Sequence, residues 1–328
     1  MHTVSIILPA YNAEAFLERT INGVLSQTYQ QWELIIIDDC STDSTREIIT
    51  SFEKKDSRIK SIFLDTRCGE PAQPKNIAYT RVTGGYIAYL DHDDEWLPQK
   101  LEKQMALLLS SPENIGLVTS NFIVVDSSTN KETPYHLKHY RSRTEALHLL
   151  NDCLAGNSGS LFRKKTVDTI GPRDERAGIY EDRDIAIRIL AAGYDWRIAE
   201  DLLFKYYVHG ANITQSYDQL SPQKALAMAI SFEYLLTKWE DTFQEFASYL
   251  SSQLRGAGLL YLYANNHTRA RALMWRSCIA YPLNPKNILF YGIIRLCPNA
   301  SPSLIHSISR LRYLVNKIIR TFFHYGSV

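Results

Sequence analysis

The chain has 328 residues, 45% of them hydrophobic and 22% charged, the composition of an ordinary globular protein of one large domain plus an appendage. Formal net charge is +1, which gives no overall attraction to nucleic acid, so no nucleic-acid partner is expected. No apolar run approaches the length of a membrane span.

Val4-Ser5-Ile6-Ile7-Leu8 is a continuous apolar run and predicts a strand covered on both faces. Pro9-Ala10-Tyr11-Asn12 ends it, and Ala13 to Gln27 then carries Phe16, Leu17, Ile21, Val24 and Leu25 at helical spacing. Trp32 to Ile37 predicts a second buried strand. It runs into Asp38-Asp39-Cys40-Ser41-Thr42-Asp43, where Ser41 or Asp43 can cap a helix over Thr45 to Phe52. A third strand is expected over Arg58 to Leu64, a helix over Pro74 to Arg81, and a fourth strand over Gly85 to Leu90. Strand and helix in alternation predict a doubly wound, mostly parallel sheet flanked by helices.

The fourth strand ends in Asp91-His92-Asp93-Asp94, three carboxylates in four residues. Ligands of open α/β sheets bind at the carboxyl ends of the strands. Acids packed there repel one another, and a divalent cation relieves the repulsion. Carboxylate oxygens suit Mg²⁺ or Mn²⁺ shared with phosphate. The plainer reading is a solvated acidic turn. Asp38-Asp39 ends the second strand in the same way, so both clusters should face one crevice. Neither Gly-x-Gly-x-x-Gly nor Gly-x4-Gly-Lys-Ser/Thr follows the first strand, which disfavours a dinucleotide fold and excludes a P-loop.

The second half starts with a strand or strand pair over Ile115 to Val125. A polar loop is expected over Asp126 to Tyr140, an amphipathic helix over Thr144 to Leu154, and a strand over Gly156 to Phe162. Tyr180-Glu181-Asp182-Arg183-Asp184 precedes Ile185, Ile187, Ile189 and Leu190, a helix stopped by Gly193. Acids at a helix N-terminus complement its dipole; the functional reading is a general base. A strand over Asp201 to Val208 leads to His209.

These segments together resemble the family 2 inverting glycosyltransferases of the GT-A fold. The resemblance rests on Val4 to Asn12, Glu33 to Asp43, Lys75-Asn76, Gly84 to Asp94, and Glu181 to Asp184 with Arg188 and Gly193. It covers residues 3 to 215, read as a nucleotide-sugar-binding half (1–110) and an acceptor-binding half (111–215). The resemblance implies that Pro9, Ala10, Tyr11 and Asn12 line the nucleotide, and that Asp39 accepts from the uracil ring N–H. Lys75, Asp91 and His92 would also lie on the nucleotide. Asp93, with Asp91 and His209, would hold Mn²⁺ or Mg²⁺ under the diphosphate. Asp182 would be the base and Glu181 would shape the acceptor side. The donor implied is a nucleotide-sugar, foremost a UDP-sugar, and the acceptor a glycan or lipid-linked hydroxyl in cell-surface polysaccharide synthesis. Two features depart from the family. Lys75 stands where arginine is frequent, leaving a surface lysine as the alternative, and Arg67-Cys68-Gly69 replaces Asn-x-Gly. His209 can also be read as a structural histidine. The Gln-x-x-Arg-Trp motif of processive members is absent, so addition of one or a few sugars is expected.

Residues 216–328 lie outside the resemblance and predict a helical extension: Pro222 to Trp239, Thr242 to Asn265, Thr268 to Ala280, Asn287 to Leu296 and Pro302 to Tyr325. Residues 302–328 carry one apolar stripe interleaved with Arg310, Arg312, Lys317 and Arg320. That stripe suits packing on the catalytic domain or peripheral contact with an anionic membrane. The five cysteines show no metal spacing and no paired framework, and Met1-His2-Thr3-Val4 has no basic leader. The expectation is a cytoplasmic location, at most at the inner membrane face. Two other functions compete: a catalytically degenerate sugar-nucleotide-binding scaffold, and a sugar nucleotidyltransferase, whose Gly-rich N-terminal loop is missing here.

Overall fold

The computed structural model describes residues 2–148, 154, 156–210, 221–244, 246–282 and 291–292. The chain divides into two compact units, Met1–Asn212 and Ile213–Val328.

The first unit is built on a nine-stranded sheet. Its strands are β1 (Val4–Ala10), β2 (Trp32–Asp38), β3 (Ile59–Phe63), β4 (Tyr86–Tyr89), β5 (Glu95–Trp96), β6 (Ile115–Asp126), β7 (Lys131–Tyr135), β8 (Leu161–Arg163) and β9 (Asp195–Val208). The order is β3-β2-β1-β4-β8-β6-β9-β5, with β7 on β6. The first four strands are parallel, β8 runs antiparallel between β4 and β6, and β6 pairs β9 in parallel. Around the sheet lie α1 (Leu17–Leu25), α2 (Thr45–Lys55), α3 (Ala72–Tyr79), α4 (Lys100–Leu109), α5 (Arg143–His148), α6 (Lys164–Ile170), a 3₁₀ turn (Glu175–Tyr180) and α7 (Glu181–Ala191).

The unalternating apolar runs of β1 and β2 are buried along their length, as strands covered on both faces require. Leu17, Ile21 and Val24 of α1 enter the same core as Ile6, Leu8, Leu34 and Ile36. Gly84 permits the close entry of β4 beside β1, because a Cβ there would stand 2.5 Å from the Thr3 carbonyl oxygen.

Several boundaries differ from the sequence pattern. The first helix begins at Leu17, not Ala13, because the Ala13 and Glu14 amides donate to Thr45 Oγ1 and Asp43 Oδ2 across the loop after β2. Residues 126–140 are not all loop. Asp126 Oδ1 accepts from the amides of Ser128 and Thr129, Asn130 takes the left-handed conformation, and β7 returns along β6. Pro134 is tolerated because β7 pairs on one side only. Of 156–162, residues 156–159 form a turn and the strand is Leu161–Arg163. The helix expected after Asp184 starts at Glu181, so the Glu-Asp pair forms its first turn.

The second unit contains α8 (Pro222–Lys238), α9 (Glu240–Gln244), α10 (Ala247–Tyr263) and α11 (His267–Ala280). The single helix expected over Thr242 to Asn265 is thus two. Ser221 Oγ and Asn266 Oδ1 cap α8 and α11 by accepting from the Lys224 and Arg269 amides. Buried Glu233 ties three helices, accepting from Tyr261 on α10 and Arg269 on α11. The expected helices from Asn287 to Leu296 and Pro302 to Tyr325, apart from residues 291–292, lie outside the described residues. Among the described residues no helix is long and apolar enough to cross a membrane.

Candidate active site

Parallel register brings the predicted residues to one edge. Ala10 pairs with Asp38 and Ile7 with Tyr89, so Tyr11-Asn12, Asp39 and Asp91 leave neighbouring strands side by side. The Asp39 amide donates to the Ala10 carbonyl at 2.8 Å and the Leu90 amide to the Ile7 carbonyl at 3.0 Å. These bonds continue the ladder one step past the strand ends.

Tyr11 lies beneath the Arg67 guanidinium, 3.8 Å from the ring centroid. Asn12 takes a left-handed φ of 44°, and its Oδ1 accepts from the Thr42 amide at 2.9 Å while its own amide donates to Ser41 Oγ. Asp38 is buried and paired with Arg46. Asp39 is buried too, and its carboxylate accepts from the Cys68 amide at 2.6 Å and the Gly69 amide at 3.3 Å. Burial and the nearby Asp39 charge push the Cys68 thiol up to about 11. The N-cap position of α2 is Ser44, which makes no side-chain capping bond; Asp43, one residue earlier, accepts from the Thr45 amide through Oδ1.

In the second acid cluster His92 sets Nδ1 3.3 Å from the Pro9 carbonyl. Asp93 Oδ2 lies 3.1 Å from His209 Nε2, and His209 stacks on Phe16 with ring centroids 4.5 Å apart. Arg19 and Thr20 of α1 hold this turn by donating to the Asp93, His92 and Asp94 carbonyls. Asp94 points inward, where burial, and then Asp93 and Asp91, push its carboxyl well above the usual carboxylate range. A hydrogen bond from the Tyr207 amide ties it to β9.

Among the described residues no three His, Cys, Asp or Glu side chains are arranged to hold a metal by themselves. Asp93 and His209 nonetheless fit a shared ion. Adjacent ligands of an octahedral ion with bonds of about 2.1 Å stand about 3 Å apart, and these two atoms are 3.1 Å apart. Diphosphate oxygens and water would have to complete the shell.

Lys75 is not a surface lysine: its side chain is 2% exposed. Its Nζ lies 2.7 Å from Glu181 Oε1 and 3.6 Å from Asp91 Oδ1. Burial holds its pKa below the usual lysine value, against the pull of Asp91 and Asp182. Glu181, also 2% exposed, accepts from Asn157 Nδ2 through Oε1 and pairs with Arg173 through Oε2. Arg173 in turn lies over the Tyr89 ring at 3.9 Å. Asp182, half-buried next door, accepts the Arg183 amide through Oδ1. Its Oδ2 faces Gly156, where a Cβ would stand 3.6 Å away. Lys75 therefore joins the acid row of the strand edge to the Glu-Asp pair of α7. Arg67, Phe16, Arg19, Asn157 and Arg173 were not among the expected site residues. Each takes its place through a contact distant in sequence that no local pattern encodes.

The model of the family described as "Glycosyl transferase family 2" matches residues 5–171, half of the chain. The chain belongs to glycosyltransferase family 2. It is 46% identical over 106 residues to the putative teichuronic acid biosynthesis glycosyltransferase TuaG of Bacillus subtilis, covering 32% of this chain and 42% of that protein. It is 39% identical over 128 residues to the Escherichia coli UDP-Glc:α-D-GlcNAc-diphosphoundecaprenol β-1,3-glucosyltransferase WfgD, covering 39% and 49%. The chain spans about half the length of the curated relatives it matches. Among solved structures, S. aureus TarS 1–349 in complex with UDP-GlcNAc superposes with a TM-score of 0.58 at 17% identity, covering 90% of this chain and 91% of that one. The mannosyltransferase PcManGT of Pyrobaculum calidifontis, in complex with GDP-Man and Mn²⁺, gives 0.57 at 15% identity, covering 98% and 87%. These likenesses establish a GT-A glycosyltransferase fold.

Proposed function

We propose that this chain is an inverting glycosyltransferase. It moves one sugar from a nucleotide-activated donor, foremost a UDP-sugar, to a hydroxyl of a glycan or lipid-linked acceptor in cell-surface polysaccharide synthesis. The observation that carries the reading is the link through Lys75, which joins the donor-side Asp91 to the helix bearing Asp182. The family match and the names of the relatives support it, as do the ligands of the structural neighbours.

Pro9, Ala10 and Tyr11 would carry the nucleobase, with Asp39 accepting its ring N–H through lone pairs that Cys68 and Gly69 leave open. Asn12 would serve by fixing the 41–45 loop. Lys75, behind Asp91, would act as a buried positive charge under the ribose and diphosphate, and His92 would line the same floor. Asp93 and His209 would hold Mn²⁺ or Mg²⁺, and Asp91 would contact the ribose or a metal-bound water rather than complete a three-residue ligand set. When bound, the ion would offset the charge that develops on the departing diphosphate. The acceptor hydroxyl oxygen forms its bond to the anomeric carbon as the bond to the diphosphate breaks, and its proton passes to Asp182 Oδ2. A single carboxylate suffices because no covalent enzyme intermediate forms. Glu181 would shape the acceptor side by fixing the N-terminus of α7.

A thermal-shift panel of UDP-, GDP- and dTDP-sugars with Mn²⁺, Mg²⁺ or EDTA tests the reading. One sugar nucleotide should stabilise the protein by about 2.7 kcal/mol at a hundredfold excess over Kd, and EDTA or Asp93→Ala should abolish the shift. Asp182→Asn should keep the shift and lose transfer by about 10²–10⁴-fold. Normal turnover by that variant would remove Asp182 as base, and a shift indifferent to EDTA would remove the metal.

A further inference from the structure

Opposite charges separate the two units. From residue 213 onward the chain has 12 Lys and Arg against 5 Asp and Glu, a net +7; residues 1–212 have 24 against 30, a net −6.

One face in the basic half is also apolar. On α11, Ala270, Leu273, Met274 and Ser277 are buried, which leaves the opposite side outward. Arg271, Trp275 and Ile279 recur there at every fourth residue and share that side. Trp275 is 51% exposed and lies tilted against the Tyr291 ring, centroids 5.2 Å apart; Ile279 is 61% exposed, and Tyr281, which ends the helix, 39%. The neighbouring arginines are committed, Arg269 to Glu233 and Arg276 to Glu240. Arg271 forms no ion pair among the described residues.

We propose that this face of α11 docks on an anionic membrane surface. Tryptophan and tyrosine partition to the boundary between headgroups and hydrocarbon, isoleucine adds apolar area below it, and arginine reaches a lipid phosphate while its stem stays among the acyl chains. The +7 of the unit supplies long-range attraction to a negative leaflet, decaying within a Debye length. The −6 of the other unit opposes it, so the contact belongs to the basic half. Three apolar side chains on a single convex helix fall well short of the roughly 800 Å² that each partner buries in a stable protein interface. A membrane needs no matching groove.

Flotation of the full chain on vesicles tests this, comparing phosphatidylglycerol–phosphatidylethanolamine with phosphatidylcholine alone. The chain should float with the anionic vesicles at low salt and be released at about 0.5 M salt. Trp275→Ser with Ile279→Ser should cut recovery by about tenfold or more, and Arg271→Gln by about fivefold. Both variants alter exposed side chains, so their thermal melts should match the parent. Three results would overturn the proposal. The variants could float like the parent, which would give any binding to another segment such as 302–328. The parent could fail to prefer anionic vesicles. Or sedimentation velocity could show a dimer that the double variant abolishes, which would give the face to a second copy of the chain. None of these readouts depends on sugar transfer.

Discussion

At the ends of β1, β2 and β4 the candidate site rests on main-chain register, whereas at the start of α7 it rests on buried charge. On the first side, side chains follow strands whose pairing is fixed by apolar burial, and backbone amides satisfy the carboxylate of Asp39. On the second, one glutamate answers two buried cations, Lys75 and Arg173, brought from α3 and from the loop before the 3₁₀ turn. A site held by register tolerates loss of a side chain, because the ladder persists. A site held by a buried ion cluster does not, because removing one member strands the others without water.

Glu181→Ala is therefore the substitution with the largest expected effect on stability. It leaves Arg173 buried without a carboxylate and Lys75 with only the longer contact to Asp91, and should cost about 3–5 kcal/mol by urea denaturation. Glu181→Gln keeps the shape and should fall between this and the parent. If Glu181→Ala lost under about 1 kcal/mol and only raised the acceptor KM, Glu181 would belong to acceptor contact rather than to the hold on α7.

The same contrast explains what the sequence made legible. The donor edge could be read because period, strand-ending acids and alternation with helices are local signals, and the GT-A resemblance rides on those same segments. The α7 side could be read only in part. Glu181 and Asp182 were visible as a pair, but the partners of Glu181 come from Lys75, Asn157 and Arg173, the first more than 100 residues away. Spacing carries no trace of such a contact, and so Lys75 was open to reading as a surface residue. The helix start at Glu181 and the hairpin at 126–135 were missed for a related reason. The hairpin depends on the turn bonds of Asp126, and the helix start on the buried ion pairs of Glu181, neither of which the apolar pattern encodes.

Glu33 sharpens the comparison, since it is a buried carboxylate of the register-built side that lies away from the candidate site. It accepts from Ser5 Oγ on β1, from Lys60 on β3, and from the amide and hydroxyl of Thr83 ahead of β4. Burial alone would raise its pKa, but the bonds from Lys60, Ser5 and Thr83 outweigh it and lower the value to about 2. The folded value lies below the unfolded one. The stabilisation is therefore complete above the ordinary glutamate range and disappears as pH falls from there to about 2. The shift corresponds to about 3 kcal/mol. Denaturant midpoints measured across that interval should decline in the parent and decline less in Glu33→Gln, which should itself lose about 2 kcal/mol at neutral pH. Parallel acid limbs in the two proteins would show that Glu33 does not govern this range.

The smallest effect is expected at Asn12, where register and side chain overlap. Its Oδ1 accepts from the Thr42 amide, and its backbone sits at a left-handed φ of 44°. Asn12→Gly loses the hydrogen bond, about 1 kcal/mol, but suits the conformation. Asn12→Ala loses the same bond and adds about 1 kcal/mol of left-handed strain. Glycine should thus be the milder change by about 1 kcal/mol in urea, the reverse of their order in a helix. Donor affinity should fall in step with the ordering of the 41–45 loop, because the side chain of Asn12 staples that loop beside Asp39. If alanine and glycine proved equal in stability, the strained turn would not be the reason for asparagine here. A loss of donor affinity without a loss of stability would instead place the Asn12 amide on the nucleotide itself.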